Sequence, residues 1–504
     1  MARERRTPPA GLHLLPRSRG NRPYPLPVPT RHLLACLVAI VLLAATLASA
    51  DEASTRFYET RLARTQKAAA ARLWDAADKA RRDSLFRFAR EEAVRVLEFD
   101  PDHAQARAFL GYVRKEDGWA MDLGASGRNP TENRATGATR LADAEAAWRT
   151  KVAARAVLDV AVLYAGLGDE CAAKGFKTEA DTAYRKALEY DAGNETARRG
   201  LGQVQFVKGL WIEQDRASAF EAARVAEPVA EASRWDEICG VTFNKARSGH
   251  FRVESPFPAD AVKTYLESCE RVYVAYLAEF GVDRATKVLP QAPVFCVLSD
   301  DVQWNRWIDR VPRGNPGFFR ALACHWARDR WACAVRNMAD FTDVQRRDRL
   351  AHQTGHMLNL ALWEMPDGFW LDEALAHRYA VLVQDYTASY CLAPRKEDYG
   401  RSGEKLVWTD QSQWKELLRQ QALAKDDLAL RAIVSKSAYE LPLSASVKAW
   451  SVADFLVRRD RAAFVALVRG SKEDKDRVAA LETRYGKDVE TLDELWRSWV
   501  IETY

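Results

Sequence analysis

His352-Gln353-Thr354-Gly355-His356, followed by Trp370-Leu371-Asp372-Glu373-Ala374-Leu375-Ala376-His377, is the stretch on which the reading of this 504-residue chain turns. In an α-helix, positions i and i+4 lie on one face a turn apart, so His352 and His356 can both reach one ion. Pro366 and Gly368 mark a break, and a second helical run from Phe369 carries Glu373. Two imidazoles and a carboxylate from two packed helices form a donor set for Zn2+ that leaves one tetrahedral position open. With eight histidines in the chain the pair alone is a weak signal, and the acidic helix that follows it makes the signal specific. Asp372 and His377 are the candidates for holding the ligands in place, since a metal-bound imidazole donates its other nitrogen to a neighbour.

The length favours two or three domains, and a hydrophobic content of 48% is enough to fill their cores. The net charge of +5 is concentrated at one end. Residues 1–32 hold seven Arg and only Glu4, a net of +6, and residues 33–50 hold no charge, which leaves −1 for the rest. A near-neutral body gives no electrostatic case for nucleic-acid binding. Leu33 to Ala50 is an apolar or small-residue run behind Arg31-His32, ending in Ala48-Ser49-Ala50. It reads as a signal peptide cleaved after Ala50, or else as an uncleaved anchor, the one route to the membrane. Either way residues 51–504 are expected outside the cytoplasm, periplasmic or extracellular. Seven cysteines follow (171, 239, 269, 296, 324, 333 and 391) at scattered spacings that do not make a disulfide framework. Cys324 with Cys333 is the easiest pair to bridge across a hairpin, and buried thiols are the simpler expectation for most.

Residues 51–235 read as helical, and the stretch contains an echo of itself at an offset of 91 residues. Leu97-Glu-Phe-Asp100, Ala106-Arg107 and Leu110-Gly111 return as Leu188-Glu-Tyr-Asp191, Ala197-Arg198 and Leu201-Gly202, and each copy runs on to a Gly and a Trp. Small residues on paired helices resemble tetratricopeptide units, whose neighbours bury each other's apolar faces. Beyond Trp235, strands are expected at 250–254, 293–298, 317–320 and 331–335, with helices at 260–280 and from Val344 onward. The fold class is therefore α+β: a leader at 1–50, a helical region at 51–235, and a mixed domain at 236–504. The charge runs at 424–427 and 471–477 read as solvated helix ends.

Leu350 to Tyr379 resembles the gluzincin zinc peptidases, and most of all the peptidase-MA-like group of exported bacterial proteins, which carry tetratricopeptide-like helices upstream. Their pattern is His-Glu-x-x-His followed by Trp-Leu-x-Glu-Gly-Leu-Ala-x-Tyr. The resemblance implies that His352, His356 and Glu373 are zinc ligands, with Ala374 in place of the usual Gly. It implies a peptide or protein as the bound partner. The departure is Gln353, which stands where the family keeps the glutamate that takes a proton from the attacking water. An amide has no basic site near pH 7. Losing a general base costs roughly 10²–10⁴ in rate, about 3–5 kcal/mol of barrier. The helix at 446–456 starts with Ser446 where relatives often have Tyr, and Glu364 is the nearest alternative base. The expectation is a zinc-binding peptidase fold with lost or impaired hydrolysis that binds protein or peptide. The alternatives are an active zinc peptidase with a non-standard base, and a metal-free helical scaffold.

Overall fold

The computed structural model describes residues 30–122, 124, 130–136, 140–311, 316–320, 322–337, 341–366, 368–387 and 411–504, with side chains from Glu52 onward except at 318, 411, 412, 439 and 443. The expected leader at 1–50 and Cys391 fall outside the residues described with side chains. Among the described residues no helix is long and apolar enough to cross a membrane. The architecture is mixed α and β, mostly helical with small sheets. Met1–Arg64 and Thr65–Tyr504 are separate compact units, and the described backbone of the first is helical from Thr30.

The 91-residue echo is a duplicated structural unit. Helices Phe86–Phe99 and Lys177–Tyr190 both end at an extended Asp, Asp100 and Asp191. A short helix follows in each, Ala104–Leu110 and Glu195–Gly200, capped by His103 onto the Ala106 N–H and by Asn194 onto the Ala197 N–H. Arg107 reaches back to the Pro101 carbonyl at 2.8 Å, and Arg198 to the Ala192 carbonyl at 3.0 Å. Each unit then closes with a two-stranded hairpin where the sequence reading expected helix. The first pairs β1 (Tyr112–Lys115) with β2 (Gly118–Met121), and the second β3 (Gln203–Val207) with β4 (Leu210–Glu213). Gly118 and Gly209 turn the hairpins at φ of 125° and 85°, a backbone that side chains with a Cβ rarely adopt. Phe99 and Tyr190, equivalent by the offset, meet at 5.9 Å and both pack on Tyr164.

The larger sheet has the order β5-β6-β7-β8-β10-β9. Its strands are β5 (Glu227–Pro228), β6 (Asn244–Arg247), β7 (Arg252–Ser255), β8 (Val294–Leu298), β9 (Cys324–Ala327) and β10 (Ala332–Arg336). The central β7-β8-β10 run is parallel, and antiparallel partners flank it on both sides. Helix Ala259–Glu279 lies on β6 and β7 and also packs against helix Asp343–Trp363, so it joins the sheet to the helix that carries His352 and His356. The expected strand at 317–320 is instead the short helix Pro316–Arg320, since Pro at the first turn favours helix over a ladder position. Cys324 and Cys333 are both thiols. Across the hairpin Cys324 faces Val335 and Cys333 faces Trp326, so the two sulfurs are out of register for a bridge.

From Asp343 onward the described residues are mostly helical. The expected solvated helix end at 424–427 is partly wrong: the residue Asp427 is half-buried, but its carboxylate is fully buried and bonded to Lys448 and Arg497, and those two also hold Asp493. Two buried carboxylates with two cations tie the loop before helix Leu430–Ser435 to helices Leu443–Arg459 and Val489–Thr503.

Candidate metal centre

Helix Asp343–Trp363 starts at Thr342, whose hydroxyl and Gln345 form a reciprocal capping box. It ends at Glu364, which has left-handed backbone at φ 47°, and the chain turns again at Gly368 with φ 67°. The next helix, Trp370–Gln384, begins with Asp372 and Glu373 in its first turn, where the N-terminal dipole favours carboxylates. The two helices can cross closely because Gly355 faces Ala376. A Cβ on Gly355 would lie 2.8 Å from the Ala376 Cα, so no larger residue fits without separating the helices. That glycine, between the two histidines of the motif, sets the spacing at which imidazoles and carboxylate meet.

His352, His356, Glu373 and His377 form one cluster. The His352 and His356 Nε2 atoms are 3.1 Å apart, and His356 Nε2 is 3.3 Å from Glu373 Oε2. His352 Nε2 is 3.7 Å and His377 Nε2 3.0 Å from Glu373 Oε1. The ligand atoms of His352, Glu373 and His377 all fall within 4.8 Å of one another. Ligands about 2.0–2.1 Å from a tetrahedral ion stand roughly 3.3 Å from each other, and the contacts of His352, His356 and Glu373 bracket that value. His352 and His377 are wholly buried, and Glu373 is nearly so.

Two of the donors, His352 and Glu373, have the protonation a metal needs. Burial, reinforced by neighbouring His377, holds the His352 imidazole well below its ordinary range, so it is neutral with a lone pair to give. Burial alone would protonate Glu373, but the surrounding imidazoles of His352, His356 and His377 outweigh it and keep the carboxyl well below the usual range. The residues therefore suit a divalent cation with a preference for nitrogen and oxygen ligands.

Asp372, a sequence candidate for holding the ligands, has its Oδ2 2.9 Å from His356 Nδ1. Asn359 fixes that Asp through bonds to its backbone oxygen and to Oδ1, at 3.1 and 2.7 Å. The Tyr276 hydroxyl in turn donates to Asn359 Oδ1 at 2.6 Å and accepts from Trp363 Nε1 at 2.8 Å. His377, by contrast, meets Glu373 and leaves the imidazole-supporting contact to Asp372. Sequence reasoning missed Tyr276, Asn359 and Trp363. Asn359 alone was within reach of it, as a polar residue on the buried face of the motif helix.

Gln353 is buried, and its Oε1 accepts from the Trp326 indole of β9 at 2.8 Å. The Cys333 thiol lies 4.0 Å from the same oxygen. Glu364, the alternative base, is mostly solvent-exposed and paired to Lys472 at 2.7 Å, outside this buried group. Ser446 is buried on helix Leu443–Arg459. Comparison with protein-family models and with curated proteins found no match.

Proposed function

We propose that residues 236–504 are a gluzincin-like domain that holds Zn2+ through His352, His356 and Glu373 and binds a protein or peptide without hydrolysing it efficiently. In the same reading residues 51–235 are a tetratricopeptide-like helical region, and residues 1–50 export the chain to the periplasm or beyond. The observation that carries this is Gln353: a neutral amide, already accepting from Trp326, follows His352, whose imidazole burial holds well below its ordinary range. When bound, zinc supplies a Lewis acid to whatever oxygen approaches it. Gln353 can orient a polar group but takes no proton, and Glu364 points its charge at Lys472 instead. β9 is the last strand in the order of the larger sheet and carries Trp326. An extended peptide could add to that edge, its backbone pairing with the strand while side chains alternate toward the metal helices.

The test is metal analysis of the full chain together with a peptide-hydrolysis assay. The expected result is stoichiometric zinc that is lost in His352→Ala, with native hydrolysis near background. Absence of zinc favours the metal-free scaffold, and strong chelator-sensitive hydrolysis favours the working peptidase; either outcome refutes the proposal.

A further inference from the structure

We infer that His377 is itself a metal ligand, a third imidazole that takes the position a catalytic zinc site leaves open. The inference rests on the metal-binding reading above and goes beyond its three ligands. His377 lies one turn after Glu373 on the same helix face, so both side chains project toward helix Asp343–Trp363. Its Nε2 is 3.0 Å from Glu373 Oε1, which is also the oxygen nearer to His352 Nε2. The His352 and His377 rings are 4.5 Å apart, and the Trp414 ring meets His377 edge-on at 5.1 Å and limits its tilt. The three atoms of His352, Glu373 and His377 thus satisfy the mutual spacing of a metal seat by themselves. His356 approaches the same His352–Glu373 pair at 3.1 and 3.3 Å.

An outer-sphere residue usually anchors a ligand from behind, as Asp372 does for His356. His377 instead brings its Nε2 to 3.0 Å from Glu373 Oε1, the carboxylate oxygen nearer to His352. Catalytic zinc sites keep three protein ligands and one exchangeable position, whereas closed four-ligand sites serve structure. With three imidazoles and Glu373, the ion would cross-link the two motif helices and be shielded from added anions. Such a centre agrees with an amide at the position of the base, since neither feature helps a bound peptide react.

X-ray absorption at the zinc edge of the loaded full chain counts the imidazoles. Three are expected in the native protein and two in His377→Phe. The cobalt-substituted native protein is expected to keep its visible spectrum on addition of azide, and the spectrum of His377→Phe to shift. Two imidazoles in the native protein, or an azide-sensitive native spectrum, overturns the inference while leaving the three-ligand reading intact. If the native chain takes up neither zinc nor cobalt, both readings fall, and that result has a different signature. Because the native protein alone decides the count, poor folding of His377→Phe leaves the test in force; His377→Gln serves as the second variant.

Discussion

The Trp326 indole donates a hydrogen bond to the Gln353 side-chain oxygen over 2.8 Å, tying the edge strand β9 to the helix that carries both motif histidines. Trp326→Phe keeps the ring and removes the donor. We expect a loss of about 0.5–1.5 kcal/mol, the net worth of one such bond, measured by urea unfolding. An unchanged midpoint would show that the bond contributes nothing to the junction.

On the proposed reading Gln353→Glu places a carboxylate where the resembled peptidases keep their base, but if His377 also holds the metal that change alone is expected to give little hydrolysis. Combined with His377→Phe it should approach the roughly 10²–10⁴-fold gain of a restored base. The four proteins form a double-mutant cycle, and the prediction is strong non-additivity in chelator-sensitive peptide cleavage. A full gain from Gln353→Glu by itself contradicts it.

Asp372 orients His356 and is itself held by Asn359. Asp372→Ala leaves every proposed ligand in place yet frees the imidazole to rotate. Metal affinity should fall about 10–100-fold in competition with a chelator, the usual cost of losing an outer-sphere partner. Affinity equal to the native value would mean the His356 orientation is set elsewhere.

Gly355→Ala forces a methyl to within 2.8 Å of the Ala376 backbone. Overpacking of this kind costs about 1–3 kcal/mol, and here it should also weaken metal retention by spreading the two helices. Gly166→Ala is the control: its Cβ would meet nothing within 4 Å, inside helix Ala154–Ala173. That change should stabilise by roughly 0.5–1 kcal/mol. Equal effects at the two sites in thermal melts would refute the close-crossing argument.

Asp427 is pushed up by burial, but bonds from Arg497 and Lys448 outweigh this and hold its carboxyl below the ordinary range. A depressed carboxyl contributes stability that is complete above its unfolded pKa, about 3.9, and is lost as pH falls through the lower folded value. Lys448→Met removes one cation from between Asp427 and Asp493 and should cost about 3–5 kcal/mol at pH 7. Its deficit should shrink below about pH 4, where protonation of Asp427 also weakens the native network. Unfolding curves at pH 7 and pH 3 decide this, and a deficit that stays constant with pH would count against it.

Much of the site was legible because its signals are local. Helical spacing puts His352 and His356 on one face whatever surrounds them, and Pro366 and Gly368 announce the break before Glu373. The duplicated unit was visible as repeated residues: Gly111 and Gly202 occupy left-handed backbone that few other residues accept cheaply, and Asp100 and Asp191 end equivalent helices in the same extended state. Its hairpins were missed because four- and five-residue strands between helices carry too few residues to show a period. The strand expected at 317–320 failed for the same reason, since two adjacent Phe residues fit a buried strand and a short helix equally well.

Local spacing in the chain therefore shows His352, His356 and Glu373 as candidate metal donors, with an amide after the first of them. How those residues stand to one another depends on packing in the folded chain. Gly355 against Ala376 sets the distance between helices, Asp372 turns His356, and Trp326 reaches Gln353 from a strand 27 residues away. It also moved His377 from a supporting neighbour to a nitrogen beside Glu373. Spacing along a helix tells which side chains share a face, but the space between two faces depends on packing from the whole chain.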